Sequence, residues 1–194
     1  MASDAGPGPV AQRDEGRSPR PERNAHPFVV PVAALRKQVG SVRHVVVEGL
    51  LSGLGHLGVS VPEGAMVHAD LGLCSDPGGV TASGTVSADW VGECRRCGGA
   101  VEGRVMAAVR ERYVPEDAAD EDEDAYRMVD DVIDLEPLVR DAVLLELPLA
   151  PLCAETCLGL CPQCGTNWNE SPCDCRPAAD PRWALLDELR DPPG

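Results

Sequence analysis

Alternating apolar and polar residues mark three consecutive segments in the middle of the chain. In each segment the apolar side chains occupy every second position, and most positions between them are polar. A period of two places one set of side chains on each face of a β-strand, so the pattern predicts three half-buried strands. The apolar positions are Ala65, Val67, Ala69, Leu71 and Leu73 in the first segment, Val80, Ala82, Val86, Ala88 and Trp90 in the second, and Val101, Val105, Ala107, Val109 and Tyr113 in the third.

Short, glycine-containing connections separate these strands, at residues 76–79 and around residues 98–99. Connections of this length join neighbouring antiparallel strands, so we expect a small antiparallel β-meander or a partly closed barrel. A further strand is predicted at residues 42–51. Order is expected to begin at residues 28–30, and a short helix follows at residues 31–38, where proline suits the first helical turn.

Helical spacing replaces the alternation after residue 134. Asp134 is placed to act as an N-cap, and the helix is expected to cover the sheet with an apolar stripe. The stripe consists of Leu135, Leu138, Val139, Ala142 and Val143, widened by Leu145 and Leu147. Together with a Cys-rich, zinc-ribbon-like C-terminal segment, these elements predict an α+β fold.

The chain has 194 residues, which allows one ordinary domain with tails and excludes a multidomain enzyme. Residues 1–27 are rich in proline and lack periodicity, which is typical of a disordered tail. The core domain is predicted at residues 28–150, with an acidic linker at residues 115–134. Residues 151–176 form the Cys-rich segment, and residues 177–194 form a short helix and tail, with Trp183, Leu186 and Leu189 as its apolar stripe.

Charge is distributed unevenly. The formal net charge of −15 argues against a protein that binds nucleic acid through its overall field. Residues 116–134 carry ten acids and one arginine, whereas residues 93–113 carry five arginines and three glutamates. Local contacts to RNA or to a partner are therefore assigned to the arginines on the third strand and its preceding hairpin. These residues are Arg95, Arg96, Arg104, Arg110 and Arg112.

The nine cysteines are expected to be reduced. The chain starts without an apolar segment and has no run of about 18 apolar residues, so we expect a soluble, cytoplasmic protein. In that compartment thiols stay reduced, and clustered cysteines are better explained as metal ligands than as disulfides.

Six of the cysteines fall within the Cys-rich segment, and four of these six are expected to bind one structural zinc ion. They are Cys153, Cys157, Cys161, Cys164, Cys173 and Cys175. Cys161 and Cys164 form a C-P-x-C-G knuckle, and Cys173 or Cys175 can supply the third thiolate. The fourth is expected from Cys157, with Cys153 as its competitor.

Cys94 and Cys97 form a C-x2-C motif in the hairpin before the third strand. It can be half of a zinc site that two surplus tail thiols complete, giving two four-thiolate sites and leaving Cys74 over. It can also be a redox pair whose pKa is lowered by Arg95 and Arg96, or a reduced structural turn. A redox C-x2-C normally opens a helix after a strand, and none is predicted here, so zinc or a turn is favoured.

No catalytic motif is present in the sequence. The chain has no P-loop, no G-x-G-x-x-G after a strand and no serine elbow. The four histidines are scattered, without the spacing of metal ligands: His26, His44, His56 and His68. We therefore expect a protein that is not an enzyme and has no small-molecule substrate.

Several motifs together resemble the YceD-type large ribosomal RNA subunit accumulation protein family of bacteria and plastids. They are E-C-R-R-C-G in the hairpin, D-L-E-P-L-V-R-D-A-V-L-L-E-L-P in the helix, G-L-C-P-Q-C-G-T-N-W-N and C-D-C in the Cys-rich segment, and D-P-R-W-A-L-L-D-E-L near the end. The resemblance covers about residues 28–190. The chain departs from the usual pattern at Trp168 and in its long N-terminal extension.

The resemblance implies a non-enzymatic ribosome-biogenesis factor that supports accumulation or processing of large-subunit (23S) ribosomal RNA. Its partners would be the large-subunit precursor, the 23S RNA and/or a basic ribosomal protein, with no membrane association. Matching positions are Cys94, Cys97, the six tail cysteines, Asn167 and Asn169. Charge reversal at Arg95, Arg96, Arg104 and Arg110 is then expected to weaken association with precursor particles. The alternatives are a thiol redox protein using Cys94 and Cys97, and a zinc-ribbon adaptor for a protein partner.

Overall fold

The computed structural model describes residues 27–118, 124–176 and 182. The predicted disordered tail, except for residue 27, and the predicted C-terminal helix, except for residue 182, lie outside these residues. A 3-10 turn occupies Leu35–Lys37. The strands and the helix are β1 (Val29–Pro31), β2 (Val42–Leu50), β3 (Gly55–His56), β4 (Val59–Ser60), β5 (Met66–Asp76), β6 (Gly79–Glu93), β7 (Ala100–Pro115), β8 (Tyr126–Met128), β9 (Val132–Asp134) and α1 (Glu136–Glu146).

The main sheet is an antiparallel meander in the order β2, β5, β6 and β7. The three strands predicted from alternation and the further strand predicted at residues 42–51 are thereby confirmed. Strand β4 pairs with the far end of β6, and β8 pairs with β7 in parallel. Among the described residues the sheet stays open, so the partly closed barrel considered as an alternative is wrong. The sheet has too few long strands to close on itself.

One face of the sheet is buried and the other is exposed. Register pairs such as Val67–Ala88 and Val86–Ala107 stack small and branched apolar side chains on the inner face. Helix α1 and the two-stranded sheet of β1 and β9 complete the core. The largest fully buried side chains include Tyr113, Phe28, Leu71, Leu73, Ile133, Leu135 and Leu138. We call the opposite face, which carries the alternate residues of β2, β5, β6 and β7, the outer face.

Helix α1 covers β6 and β7, as the sequence predicts. Asp134 lies at its start and accepts a 2.9 Å hydrogen bond from the Glu136 amide through Oδ1, although Leu135 occupies the N-cap position. Leu145 does not join the core, contrary to the prediction, because its side chain is 86% exposed. It lies on the same side of the helix as Leu138 and Ala142 and lines a groove with them.

The predicted acidic linker contains structure that the sequence reading missed. Strand β8 adds to the main sheet, and β9 pairs with β1 near the start of the described chain. Asp130 and Asp131, with φ of 51° and 57°, form the tight turn between Val129 and Val132. Strands of only three residues are too short to show a period, which is why they escape detection.

The short helix predicted at residues 31–38 reduces to β1 and the 3-10 turn. Gly49 in β2 allows this segment to approach closely, because a Cβ there would lie 2.5 Å from Cε2 of Phe28. No helix in the described part of the chain has the length and apolar character needed to span a membrane.

Candidate functional site

Eight cysteines form two compact groups of four. The hairpin cluster consists of Cys94, Cys97, Cys153 and Cys157, and the tail cluster consists of Cys161, Cys164, Cys173 and Cys175. Within each cluster all four sulfur atoms lie within 4.8 Å of one another. Each cluster can therefore hold a metal ion.

The sulfur separations fit a tetrahedral metal site. Sγ of Cys94 lies 3.8 Å from Sγ of Cys157, and Sγ of Cys97 lies 3.6 Å from Sγ of Cys153. Four sulfurs at about 2.3 Å from a tetrahedral zinc ion are about 3.8 Å apart. A disulfide would instead need about 2.05 Å, and all nine cysteines are free.

The hairpin cluster joins the tip of the β6–β7 hairpin to the chain that follows α1. The hairpin itself is closed by a 2.7 Å hydrogen bond from the Cys94 amide to the Gly99 carbonyl. The Arg95 amide donates to the Pro151 carbonyl at 2.9 Å, which brings the two segments together. Cys94 and Cys157 are buried at this junction, with exposed fractions of 3% and 4%.

Arg96 clamps the second segment to the hairpin. Its Nη1 donates to the carbonyls of Glu155 at 3.0 Å and Cys157 at 2.8 Å. Its own carbonyl accepts from the Leu160 amide at 3.1 Å. Gly159 permits this contact, because its φ is +80° and a Cβ would lie 3.0 Å from the Arg96 carbonyl oxygen.

The tail cluster is built on the predicted knuckle. The Gly165 amide donates to the Cys161 carbonyl at 2.9 Å, and the Cys161 amide donates to the Thr166 carbonyl at 2.8 Å. Gly165 takes a φ of +75°, as the turn requires. The thiol of Cys164 lies 3.1 Å from the hydroxyl oxygen of Thr166.

The Asn-Trp-Asn segment at residues 167–169 links the two clusters. Nδ2 of Asn169 donates to Sγ of Cys157 in the hairpin cluster at 3.3 Å, and Nε1 of Trp168 donates to Sγ of Cys173 in the tail cluster at 3.3 Å. Asn167 steadies the segment by accepting from Nδ2 of Asn169 at 2.8 Å. The sequence singled out both asparagines only through the family resemblance, and the sulfur contact of Trp168 was not anticipated.

The thiol pKa values of the hairpin cluster are driven apart by its crowded geometry. Backbone amides, above all that of Cys153, lower the pKa of Cys94 to about 6. Contacts with Cys157, Cys97 and Cys94 raise the pKa of Cys153 to about 12. The Gly99 amide acts to lower the pKa of Cys97, but contact with Cys94 and burial outweigh it and raise that pKa.

The tail cluster shows the same division. The Thr166 side chain and amide lower the pKa of Cys164 to about 6, whereas contact with Cys164 raises the pKa of Cys175 to about 12. Adjacent sulfurs resist full ionisation because like charges repel at this distance. A divalent cation at the centre of each cluster would stabilise all four thiolates together.

The grouping differs from the single tail site that the sequence favoured. The structure places Cys153 and Cys157 beside Cys94 and Cys97, the arrangement that the sequence left open as an alternative. Both cysteines of the C-D-C motif belong to the tail cluster, although the sequence favoured only one of them. Cys74 lies on β5, apart from both clusters.

The five predicted contact arginines fall into two groups. Arg96 and Arg112 serve the fold, since Arg112 donates to the Pro77 carbonyl at 3.1 Å and lies 3.8 Å from Asp76. Arg104 lies exposed on the outer face, with Ser87 at 3.0 Å and Asp89 at 3.5 Å. Arg95 and Arg110 are exposed, and their guanidinium groups have no hydrogen bond or ion pair with the described residues.

Two of the histidines pair with carboxylates on the outer face. Nε2 of His44 lies 2.5 Å from Oδ1 of Asp70, and Nδ1 of His68 lies 3.2 Å from Oε1 of Glu48. His56 has a buried Nδ1 without a hydrogen-bond partner among the described residues. His26 lies outside the described residues.

Comparison with known proteins gives one family. The model of the large ribosomal RNA subunit accumulation protein YceD family matches residues 82–190. An uncharacterized protein of Mycobacterium tuberculosis is 39% identical over 191 residues, which covers 95% of this chain and 87% of that protein. No solved structure matches the chain.

Shorter similarities extend to other organisms. The large ribosomal RNA subunit accumulation protein YCED homolog 1, chloroplastic, of Arabidopsis thaliana is 38% identical over 60 residues, or 30% of this chain and 19% of that protein. The uncharacterized protein YlbN of Bacillus subtilis is 39% identical over 71 residues, or 36% of this chain and 41% of that protein.

Proposed function

Because the chain belongs to the YceD family of large ribosomal RNA subunit accumulation proteins, we propose that it is a non-enzymatic factor that supports accumulation or processing of 23S ribosomal RNA. It acts by docking on large-subunit precursor particles, through RNA or through a ribosomal protein. The observation that carries this proposal is the set of exposed arginines on the outer face and the hairpin, where the guanidinium groups of Arg110 and Arg95 have no hydrogen bond or ion pair with the described residues.

The outer face suits a local contact with RNA phosphates. The Cα atoms of Arg104 and Arg110 lie on the same strand and face, about 20 Å apart at about 3.3 Å per residue. Arg95 extends the basic positions to the tip of the hairpin. Arginine binds phosphate in a bidentate manner, and such contacts position a protein on RNA without reading its sequence.

The test is co-sedimentation of the full chain with large-subunit precursors on sucrose gradients. The variant Arg95→Glu/Arg110→Glu is expected to move to the top of the gradient, because both contacts become repulsive. The control variant Lys37→Glu/Arg43→Glu makes the same change of charge at two exposed residues outside the outer face, since Lys37 lies in the 3-10 turn and Arg43 lies on the other side of β2, where it donates to the Pro31 carbonyl. Equal sedimentation of the two variants would refute the role of the outer face.

We also propose that each cluster holds one structural zinc ion. Four thiolates in a tetrahedron are the preferred ligand set of structural zinc, and a site with four protein ligands has no open position for catalysis. Zinc in the hairpin cluster would fasten the Cys-rich segment to the β6–β7 hairpin, next to Arg95. The ions therefore serve the docking surface by fixing its shape.

Serine variants test the assignment cluster by cluster, with metal content measured on purified protein. Cys97→Ser/Cys153→Ser and Cys164→Ser/Cys175→Ser should each lower the zinc content from two ions to one per chain. Cys74→Ser is the control and should keep two. Loss of both ions in either double variant would contradict two independent sites.

A thiol redox function remains the rival that these variants can exclude. It would require Cys94 and Cys97 to form a reversible disulfide with each other. In the hairpin cluster, however, both sulfurs also lie within 4.8 Å of Cys153 and Cys157, which suits one shared ion. Mild oxidant should therefore leave the mass of the zinc-loaded protein unchanged.

A further inference from the structure

A groove of about 630 Å³ runs between the edge of β7 and helix α1. Its floor is apolar and includes Ala107, Leu138 and Ala142, whose exposed fractions are 8%, 1% and 9%. Leu145 continues the same side of the helix as Leu138 and Ala142, but it is 86% exposed. The apolar stripe of α1 thus extends beyond the part that the protein itself covers.

The strand that borders the groove has a free edge. On the side of β7 away from β6, strand β8 pairs only with Tyr113–Pro115. Among the described residues no strand continues this pairing toward the hairpin, so residues 100–112 present an unpaired edge on that side. An extended polypeptide can add to such an edge through main-chain hydrogen bonds.

The rim of the groove is acidic. Glu111, Asp124, Asp141 and Glu146 line it, and the lining contains no lysine or arginine. The hydroxyl of Tyr126 donates to Oδ2 of Asp141 at 2.8 Å, which fixes that carboxylate at the opening. Four carboxylates around an apolar floor attract a cationic segment and repel RNA phosphates and acidic lipid headgroups.

We propose that this groove binds a basic polypeptide segment of a partner protein, with apolar side chains in the groove and lysines or arginines at the rim. The inference deepens the proposed function, since it names a second partner class for the same precursor particle. Ala107 and Glu111 lie on the same inner side of β7, and the other rim residues Asp141 and Glu146 lie on α1, so the floor and the rim are on one side of the strand. The side chains that an added strand turns toward α1 can therefore be apolar opposite Ala107 and basic opposite Glu111.

The N-terminal tail of this chain is a poorer candidate occupant. Residues 1–26 carry four arginines, but they also carry four acidic residues, so their formal charge is zero with histidine neutral. A segment without net charge gains little from an acidic rim. The expected occupant is therefore a strongly cationic segment from another protein.

The test uses purified full-length protein and a short fluorescein-labelled peptide composed of leucine and lysine, and binding is measured by fluorescence anisotropy. The wild-type protein should bind this peptide, and binding should weaken as salt screens the rim. The variant Glu111→Lys/Glu146→Lys should lower the affinity about tenfold, because two attractive contacts become repulsive. The single change Leu145→Ser should lower the affinity about threefold through lost apolar contact.

The control Glu63→Lys changes an exposed glutamate outside the groove and should leave the affinity within about twofold. A peptide in which glutamate replaces lysine should not bind. Equal loss of affinity in Glu63→Lys and in Glu111→Lys/Glu146→Lys would overturn the inference. So would tighter binding after serine replaces the four tail arginines, because the tail would then be the occupant.

This assay contains no ribosomal component, which separates the inference from the proposed function. Failure of peptide binding would overturn the proposal that the groove binds a basic segment, and it would leave the gradient result for Arg95 and Arg110 unaffected. Conversely, failure of that gradient experiment would overturn the arginine contacts but not peptide binding measured here.

Discussion

Arg96 and Arg95 are adjacent in sequence, but only Arg96 contacts the Cys-rich segment with its side chain. In Arg96→Ala the two hydrogen bonds from Nη1 to the carbonyls of Glu155 and Cys157 are lost, whereas the main-chain contact with Leu160 remains. The hairpin cluster should keep its four sulfurs but open more often. Arg95→Ala removes the same charge and no side-chain contact, which makes it a matched control.

The size of the effect follows from the two lost bonds. A typical intramolecular hydrogen bond contributes about 0.5–1.5 kcal/mol, so the pair contributes about 1–3 kcal/mol to closure of the segment. A factor of ten corresponds to about 1.4 kcal/mol. If zinc leaves through the opened segment, its release from the hairpin cluster should accelerate about 5-fold to 150-fold in Arg96→Ala.

Zinc release is measured by the colour change of a chelating dye mixed in excess with the loaded protein. We expect two kinetic phases in the wild-type protein, one for each cluster, and only one of them should accelerate in Arg96→Ala. Arg95→Ala should match the wild type in both phases. Identical release from the two alanine variants would show that the Arg96 clamp does not hold the cluster closed.

Three further predictions concern the core and the clusters. Gly49→Ala should lower the melting temperature by about 2–10 °C in calorimetry, because the added Cβ would overlap Phe28. Gly72→Ala is the control and should not lower it, because the nearest atom to a Cβ there is 3.7 Å away. Equal melting temperatures of the two variants would refute this packing. Tyr113→Phe should preserve the free energy of unfolding or raise it by up to about 1 kcal/mol in urea unfolding, since the buried hydroxyl has no hydrogen-bond partner among the described residues. A clear loss of stability would contradict this. Zinc binding to the hairpin cluster should release at least two protons at pH 7, from Cys97 and Cys153, whose pKa is raised, so the affinity should decrease as the pH is lowered. Titration calorimetry in which the binding enthalpy does not depend on the buffer would contradict this.

The long elements of the fold were predictable because each has a buried and an exposed face. The alternation of apolar and polar residues predicts β5, β6 and β7, and the short connections between them predict that neighbouring strands are antiparallel. Short strands carry no such signal, so β8 and β9 were missed within an acidic segment. The Asp130-Asp131 turn was a usable clue, because aspartate tolerates positive φ and joins two apolar stretches there.

The cysteine clusters were predictable in composition but not in pairing. Spacing identifies the knuckle of Cys161 and Cys164, because both ligands come from one turn. Sequence spacing cannot predict that Cys94 lies next to Cys157, since their contact depends on the path of the chain after α1. The contacts of Arg96 and Gly159 hold the returning chain against the hairpin, and neither residue carries a sequence signal that predicts these contacts. For the same reason Arg96 resembled an RNA contact until its side chain was located.

The most direct test of the account is native mass spectrometry of the full chain purified from cells under mild reducing conditions. We expect a single species that carries two zinc ions and has no disulfide among its nine cysteines. A metal-free species whose mass shows disulfides among the clustered cysteines would contradict it, because neither cluster would then organise the Cys-rich segment by binding an ion.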